Sequence, residues 1–202
     1  MYKKTIYEFN SNLASKEPIP GGGSASALVG ALSASLANMA IELTYGKKKY
    51  LEYENQLREI SIELKDLSEK LLEAINDDCK AFYPLSRCYS MDKSDPEYMI
   101  KLEKCLQDAA IPPLSIMKYS ARVIELDSIL KDITSKIMVS DIGTSVSLAL
   151  GTLRGAYLNV LVNTKLMKDR EYATNLEKLS EKMLVKYSSL ANQTYNDVLE
   201  RL

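Results

Sequence analysis

The sequence predicts an all-α protein: an antiparallel bundle of about six helices, several of them long, forming one domain over residues 1–202. Apolar residues recur at helical spacing along almost the whole chain. No run alternates apolar and polar side chains as a half-buried strand does, and aromatic residues, which strands favour, are only 7% of the total. The breaks between periodic stretches are short, which favours antiparallel neighbours.

Taken in order, residues 2–14 read as a short helix with Ile6, Phe9 and Leu13 on one side, ended by Glu17-Pro18-Ile19-Pro20-Gly21-Gly22-Gly23. A second helix runs from about Ser24, its expected N-cap, to Tyr45, with Leu28, Leu32, Leu36, Met39 and Leu43 as its expected apolar stripe and Gly46 as its stop. From Lys48 to Cys88 the period continues through Leu57, Ile60, Leu64, Leu67, Leu71 and Ile75, with Pro84 expected to kink or end the helix. Tyr89–Pro96 reads as a loop in which Ser94 or Asp95 caps the next helix. That helix covers about 96–130, and the Pro112-Pro113 pair is expected to interrupt it. Two more helices follow, at about 132–168 and from Glu171 to Leu202, the last carrying Leu176, Leu179, Met183, Tyr187, Leu190 and Val198.

A composition of 46% apolar and 26% charged residues, with a net charge of −1, gives no general field for nucleic acid or an anionic membrane. The expected partners therefore include neither, and any anion must be held by a local site. Cys79, Cys88 and Cys105 contain no CxxC pair and read as reduced thiols of a cytoplasmic protein. The N-terminal stretch never builds the apolar core of a signal peptide. With no histidine and no clustered cysteine the chain is expected to hold no metal, so acid–base chemistry falls to Asp, Glu, Lys, Tyr or Cys.

Several local features call for a reason. Three of the eight glycines are consecutive, at Gly21, Gly22 and Gly23. Glycine costs roughly 0.5–1 kcal/mol relative to alanine inside a regular element, so the triplet is either a hinge or a place where another group approaches the backbone. With Ser24 it opens a helix, whose N-terminal N–H groups attract anions. No Gly-Lys-Ser/Thr follows and no strand precedes, which excludes a P-loop or a dinucleotide fingerprint. The helix that follows is full of Ala, Ser and Gly, which permits close packing. Residues 25–41 are nearly uncharged, but a membrane span is disfavoured by their length, their serines and Asn38. Lys47 and Lys48 sit in a basic turn that either complements the helix dipole or holds an acidic group. Asp78 and Asp141 lie in helical, largely apolar surroundings, where a carboxylate is either paired or poised for chemistry. Asn159 and Asn163, one turn apart, share a face with each other and roughly with Asp141.

Pro20-Gly21-Gly22-Gly23-Ser24-Ala25-Ser26-Ala27, closing in Thr44-Tyr45-Gly46-Lys47-Lys48-Lys49-Tyr50, resembles the opening signature of the cyclodeaminase/cyclohydrolase family. Asp78-Cys79-Lys80-Ala81-Phe82 resembles the family's D-x-x-A-F/Y helix. Ile111-Pro112-Pro113-Leu114 resembles its A-x-x-P-L step, Ser140-Asp141-Ile142 its S-D-L/I element, and Asn159-Val160-Leu161-Val162-Asn163 its N-V-x-x-N. The resemblance spans about residues 5–170. It implies a helical homodimer or larger homo-oligomer acting on the carbon between N5 and N10 of tetrahydrofolate, with no cofactor beyond that folate. The reaction is either methenyltetrahydrofolate cyclohydrolysis or formiminotetrahydrofolate cyclodeamination. Asp78 and Asp141 are then the candidate catalytic carboxylates, one moving protons and one facing the cation. Gly21, Gly22, Gly23, Ser24, Lys47 and Lys48 are candidates for the folate's carboxylates, and Asn159 and Asn163 for the pterin or the attacking water. The rival reading is a helical binding or scaffold protein without chemistry.

Overall fold

The computed structural model describes residues 3–202 and contains six α-helices. They are α1 (Ile6–Leu13), α2 (Gly22–Glu42), α3 (Glu54–Cys88), α4 (Tyr98–Ile133), α5 (Val139–Thr164) and α6 (Arg170–Leu199), with 3-10 turns at Lys48–Tyr53 and Lys136–Met138. Residue 2, included in the expected first helix, lies outside the described residues.

Central helix α2 packs between α3 and α5 and also touches α4, while α6 closes the far side against α5 and α4. Its position follows from side-chain size. The buried residues of α2 are Gly23, Ser24, Ala27, Gly30, Ala31, Ser33, Ala34, Ala37, Ala40 and Ile41. Small side chains let neighbouring backbones approach closely. A Cβ on Gly30 would stand 2.9 Å from Thr152 Cγ2 of α5 and 3.1 Å from Leu71 Cδ2 of α3. The expected leucine stripe is therefore on the wrong side: Leu32, Met39 and Leu43 are 53%, 40% and 49% exposed, and Leu28 and Leu36 are half-buried. Periodicity located the apolar arc of this helix, but its small-residue arc packs more tightly and took the core.

In α3 the expected stripe is the buried one, with Leu57, Ile60, Leu64, Leu67, Leu71 and Ile75 all in the core. Of the α1 face only Phe9 is buried; Ile6 is 79% exposed. In α6, Leu179 is exposed while Leu176 and Val198 are buried. Neither Ser94 nor Asp95 caps α4, whose N-cap is Glu97. Instead, Asp92 accepts the Ser94 N–H at 2.9 Å and Asp95 the Glu97 N–H at 2.8 Å, shaping the preceding loop. Pro84 lies inside α3, and Pro112 and Pro113 lie inside an uninterrupted α4. A proline at 113 strips the Ala109 carbonyl of its helical N–H donor. Asn163 Nδ2 of α5 fills that vacancy with a 2.9 Å hydrogen bond to Ala109 O, so the helix continues where an unsatisfied carbonyl would have opposed it.

Two helical stretches, Gly22–Glu42 and Lys136–Thr164, are long and apolar enough by length and composition to cross a membrane. In this fold about half of each is packed inside the bundle.

Midway along the bundle a polar pair joins α2 to α5. Ser33 Oγ donates to Ser145 O at 2.9 Å and Ser145 Oγ approaches Ser33 O at 3.0 Å. Asp127 of α4 is fully buried beside them, with Oδ2 2.8 Å from Ser145 Oγ and Oδ1 without a partner among the described residues. Burial pushes this carboxyl well above the usual carboxylate value of 3.8, against the smaller opposing effect of the Ser145 hydrogen bond. A folded-state value above the unfolded one means that its contribution is fully present below the unfolded value and is lost as pH rises through the folded one. The contribution of Asp127 to the denaturation free energy is therefore expected to fall as pH climbs from about 4 through its raised folded-state value. Asp127→Asn, followed by urea titration at several pH values, should give a shallower fall; an unchanged slope would contradict a carboxyl held protonated in the core.

Candidate functional site

At the N-terminal end of α2 the chain turns through Pro18–Gly21 and enters the helix at Gly22, with Gly21 as N-cap. Ser24 was expected to cap this helix; it lies inside the first turn, fully buried, and points its hydroxyl elsewhere. Ser24 Oγ donates to Asp78 Oδ2 of α3 at 2.7 Å, and also lies 3.3 Å from Ile75 O and 3.3 Å from Cys79 Sγ. The Ser24 backbone N–H also favours the charged form of this carboxyl. Asp78 thus occupies the electropositive end of α2, where the sequence alone pointed to an anion from outside.

The glycines now have separate reasons. A Cβ on Gly23 would stand 2.1 Å from Asp78 Oδ1, so only glycine admits the carboxylate. On Gly22 it would meet Asn159 Nδ2 at 3.1 Å, while Gly21 has nothing within 4 Å and faces open space.

Burial pushes the Asp78 carboxyl above its usual 3.8, and the Ser24 hydroxyl and backbone N–H pull it back. The neighbouring Cys79 thiol is pushed up by burial as well, with its contact to the Ser24 hydroxyl at 3.3 Å opposing. Such a carboxyl retains a proton more readily than a surface aspartate, and it lies on an open cavity of about 150 Å³. The cavity is lined by the three glycines, Asp78, Phe82 and Pro18 on one side, and by Ala109, Asn159, Val162 and Asn163 on the other. Asn159 Nδ2 donates to Gly155 O at 2.8 Å. Asn163 Nδ2 donates to Asn159 O and Ala109 O, both at 2.9 Å, so its amide hydrogens are committed and its oxygen is the group left for a ligand.

Seven of the ten residues singled out from the sequence therefore meet at one end of the bundle: Gly21, Gly22, Gly23, Ser24, Asp78, Asn159 and Asn163. Asp141, Lys47 and Lys48 do not join them. Asp141 stands in the first turn of α5, eighteen residues before Asn159 and so about 27 Å away along the axis. Pairing it with Asp78 in one site, as their shared candidacy supposed, is not possible within one chain, because helical periodicity places residues on a common face without placing them at a common height. Lys47 and Lys48 follow the far end of α2, where Lys47 Nζ donates to Ser135 Oγ at 2.9 Å. Pro18, Phe82, Ala109 and Val162 line the cavity and were not singled out. Phe82 closed the recognisable D-x-x-A-F/Y run; the other three carried no chemical signal.

Residues 5–182 match the family described as formiminotransferase-cyclodeaminase. Methenyltetrahydrofolate cyclohydrolase of Methylorubrum extorquens is 34% identical over 203 residues, covering 98% of this chain and 98% of its own. Formimidoyltransferase-cyclodeaminase of Rattus norvegicus is 27% identical over 82% of this chain, which spans about a third of that longer relative (31%). The crystal structure of formiminotetrahydrofolate cyclodeaminase from Thermotoga maritima superposes with a TM-score of 0.85 over 99% of this chain and 96% of its own, at 24% identity, and is similar in fold.

The glycine geometry makes a paired prediction. Gly23→Ala must displace Asp78 or α2 and is expected to cost about 1–3 kcal/mol of stability, as overpacking does. Gly21→Ala, facing open space, should stay within about 0.5 kcal/mol of the parent. Chemical denaturation of both variants decides; equal losses would refute the assignment.

Proposed function

The chain belongs to the formiminotransferase-cyclodeaminase family, and from that premise we propose that it hydrolyses 5,10-methenyltetrahydrofolate to the 10-formyl compound, with Asp78 as the proton-transferring group. One observation carries the proposal: a single buried carboxyl, raised above its usual range, lies on an open cavity in a chain that has no histidine. The whole-chain similarity to a free-standing cyclohydrolase supports this arm over cyclodeamination. Cyclodeamination acts at the same carbon and differs in expelling ammonia rather than adding water.

Water adds to the bridge carbon of the methenyl cation, and the Asp78 carboxylate takes one of its protons. The adduct is a tetrahedral carbon between N5 and N10. Its C–N5 bond then breaks as the carbonyl forms; Asp78 returns its proton to N5, and the second water proton leaves to solvent. Two opposing effects suit one residue to both steps. The Ser24 contacts and the end of α2 favour the carboxylate that accepts a proton, and burial favours the acid that returns it. Its negative charge also faces the cationic carbon of the substrate. Asn163, with its oxygen free, and Asn159 orient the water or the pterin edge. We place the enzyme in the cytoplasm as a homo-oligomer, needing no cofactor besides its folate.

The near-ultraviolet absorbance of 5,10-methenyltetrahydrofolate tests the reading. Purified protein should discharge it faster than buffer alone, and Asp78→Asn should lower kcat by about a hundredfold or more, the range for a lost general acid–base group. Formation of that absorbance from 5-formiminotetrahydrofolate with ammonia would shift the assignment to cyclodeaminase. Silence in both directions would leave a binding protein.

A further inference from the structure

Pro112 and Pro113 lie in the middle of α4, one turn beyond Ala109, which lines the Asp78 cavity. Each withholds an N–H from the carbonyl four residues earlier. The two gaps differ. Pro112 leaves open the carbonyl of Asp108, an exposed residue, whereas Pro113 leaves open that of Ala109, which is buried. A buried carbonyl needs an internal donor. Asn163 Nδ2 supplies it at 2.9 Å and gives its other hydrogen to Asn159 O, also at 2.9 Å. Both partners are carbonyl oxygens, which only accept, so the amide has one orientation: its –NH2 into these contacts and Oδ1 the other way. Asn163 is only 5% exposed. Its Oδ1 accepts no hydrogen bond among the described residues, yet it is not among the sealed orphans of the core, which are Asp127 Oδ1 and Thr194 Oγ1. Its opening is the cavity that Asn163 lines.

We infer that Pro113 is a positioning residue: by denying Ala109 its helical donor it makes that carbonyl hold the Asn163 –NH2, which turns Asn163 Oδ1 into the cavity as a fixed acceptor for the attacking water. The inference rests on the hydrolytic reading. A water that attacks carbon must present a lone pair to it, so both of its O–H bonds need acceptors elsewhere. Asp78 takes the proton from one, and Asn163 Oδ1 holds the other. The two acceptors stand on opposite sides of a cavity of about 150 Å³, which has room for only a few waters at about 30 Å³ of liquid volume each. The C–O bond forms with the water's lone pair, and Asp78 receives one proton and returns it to N5. The other proton, held by Asn163, stays on oxygen in the tetrahedral adduct and leaves to solvent as the carbonyl forms. An amide free to turn would also offer its –NH2, and a donor there would occupy the lone pair that must reach the carbon. With both amide hydrogens engaged that alternative is closed, and no reorganisation is left for the moment of reaction.

Pro113→Ala restores an N–H to the Ala109 carbonyl and releases the Asn163 amide. With 5,10-methenyltetrahydrofolate as substrate it should lower kcat about tenfold and leave KM within about twofold of the parent, since the water and not the folate loses its support. Pro112→Ala, whose carbonyl belongs to an exposed residue, should stay within about twofold in both. Asn163→Ala should itself lower kcat about tenfold, and adding Pro113→Ala should lower it no further, because the proline acts through that amide alone. The double variant should also melt above Asn163→Ala, having regained a donor for Ala109. In proton–nitrogen NMR spectra of the full chain, the Asn163 side-chain amide is identified by its loss in Asn163→Ala. It should exchange with solvent at least about tenfold faster in Pro113→Ala. Equal kcat losses from Pro113→Ala in both backgrounds, or an equal loss in Pro112→Ala, would make the prolines merely structural and overturn the inference. A raised KM with kcat unchanged would give Asn163 to the pterin and overturn it as well, as would unchanged amide exchange. A parent that leaves methenyltetrahydrofolate untouched would sink the hydrolytic reading, while the amide exchange would still decide whether Pro113 fixes Asn163.

Discussion

The arrangement of the whole site depends on one contact: the Asp78 carboxylate laid against Gly23 at the start of α2. A buried carboxylate is costly unless its oxygens are engaged. Here one oxygen accepts the Ser24 hydroxyl at 2.7 Å, the Ser24 backbone N–H favours the charged form, and the helix end adds its partial positive charge. None of this is reachable with a side chain at residue 23, since the nearest carboxylate atom would stand 2.1 Å from its Cβ. The glycine therefore acts through space rather than through backbone freedom, and the helix keeps it despite its poor propensity.

That contact fixes how α2 must sit, and the position of α2 determines which of its faces is buried. To bring Gly23 against α3 and Gly22 against Asn159 of α5, the helix has to lie deep between both neighbours. Only its small-residue side allows such an approach, as the Gly30 contacts with Thr152 and Leu71 show. The larger residues are left outside. An outward row of leucines on a central helix follows from the packing of the site.

How much of this was legible in the sequence differs between levels for physical reasons. The six helices and the buried stripe of α3 follow from period alone, because large apolar residues on a long amphipathic helix have one place to go. For α2 the same rule chose the wrong face. Hydrophobicity measures transfer from water, whereas close packing of Ala, Ser and Gly depends on shape and on what the neighbours offer. The prolines of α4 misled for a related reason: an interior proline opposes a helix through its missing N–H, and whether a distant amide can replace that donor is not written in the local sequence. In the site, seven positions picked by residue type and order lie together at one end of the bundle, but Asp141 shows the limit. A face of a helix is readable from spacing, and a height along the bundle is not.

The motifs scattered through the chain can be understood as halves of contacts. Gly22 pairs with Asn159, Gly23 with Asp78, and the carbonyl of Ala109, exposed by Pro113, pairs with Asn163. Each pair joins elements remote in sequence, and all three pairs border one cavity. Such coupling constrains both members together: a side chain at Gly23 displaces the acid, and removal of the Asn163 amide leaves the Ala109 carbonyl without its donor. Residues that hold the bundle closed at this end are therefore also those that line the cavity, so packing here cannot be optimised independently of chemistry. The basic turn after α2 has no such partner within the cavity of its own chain. Its distance from the other recognisable positions follows from the length of α2, which separates the two ends of the helix by about 30 Å.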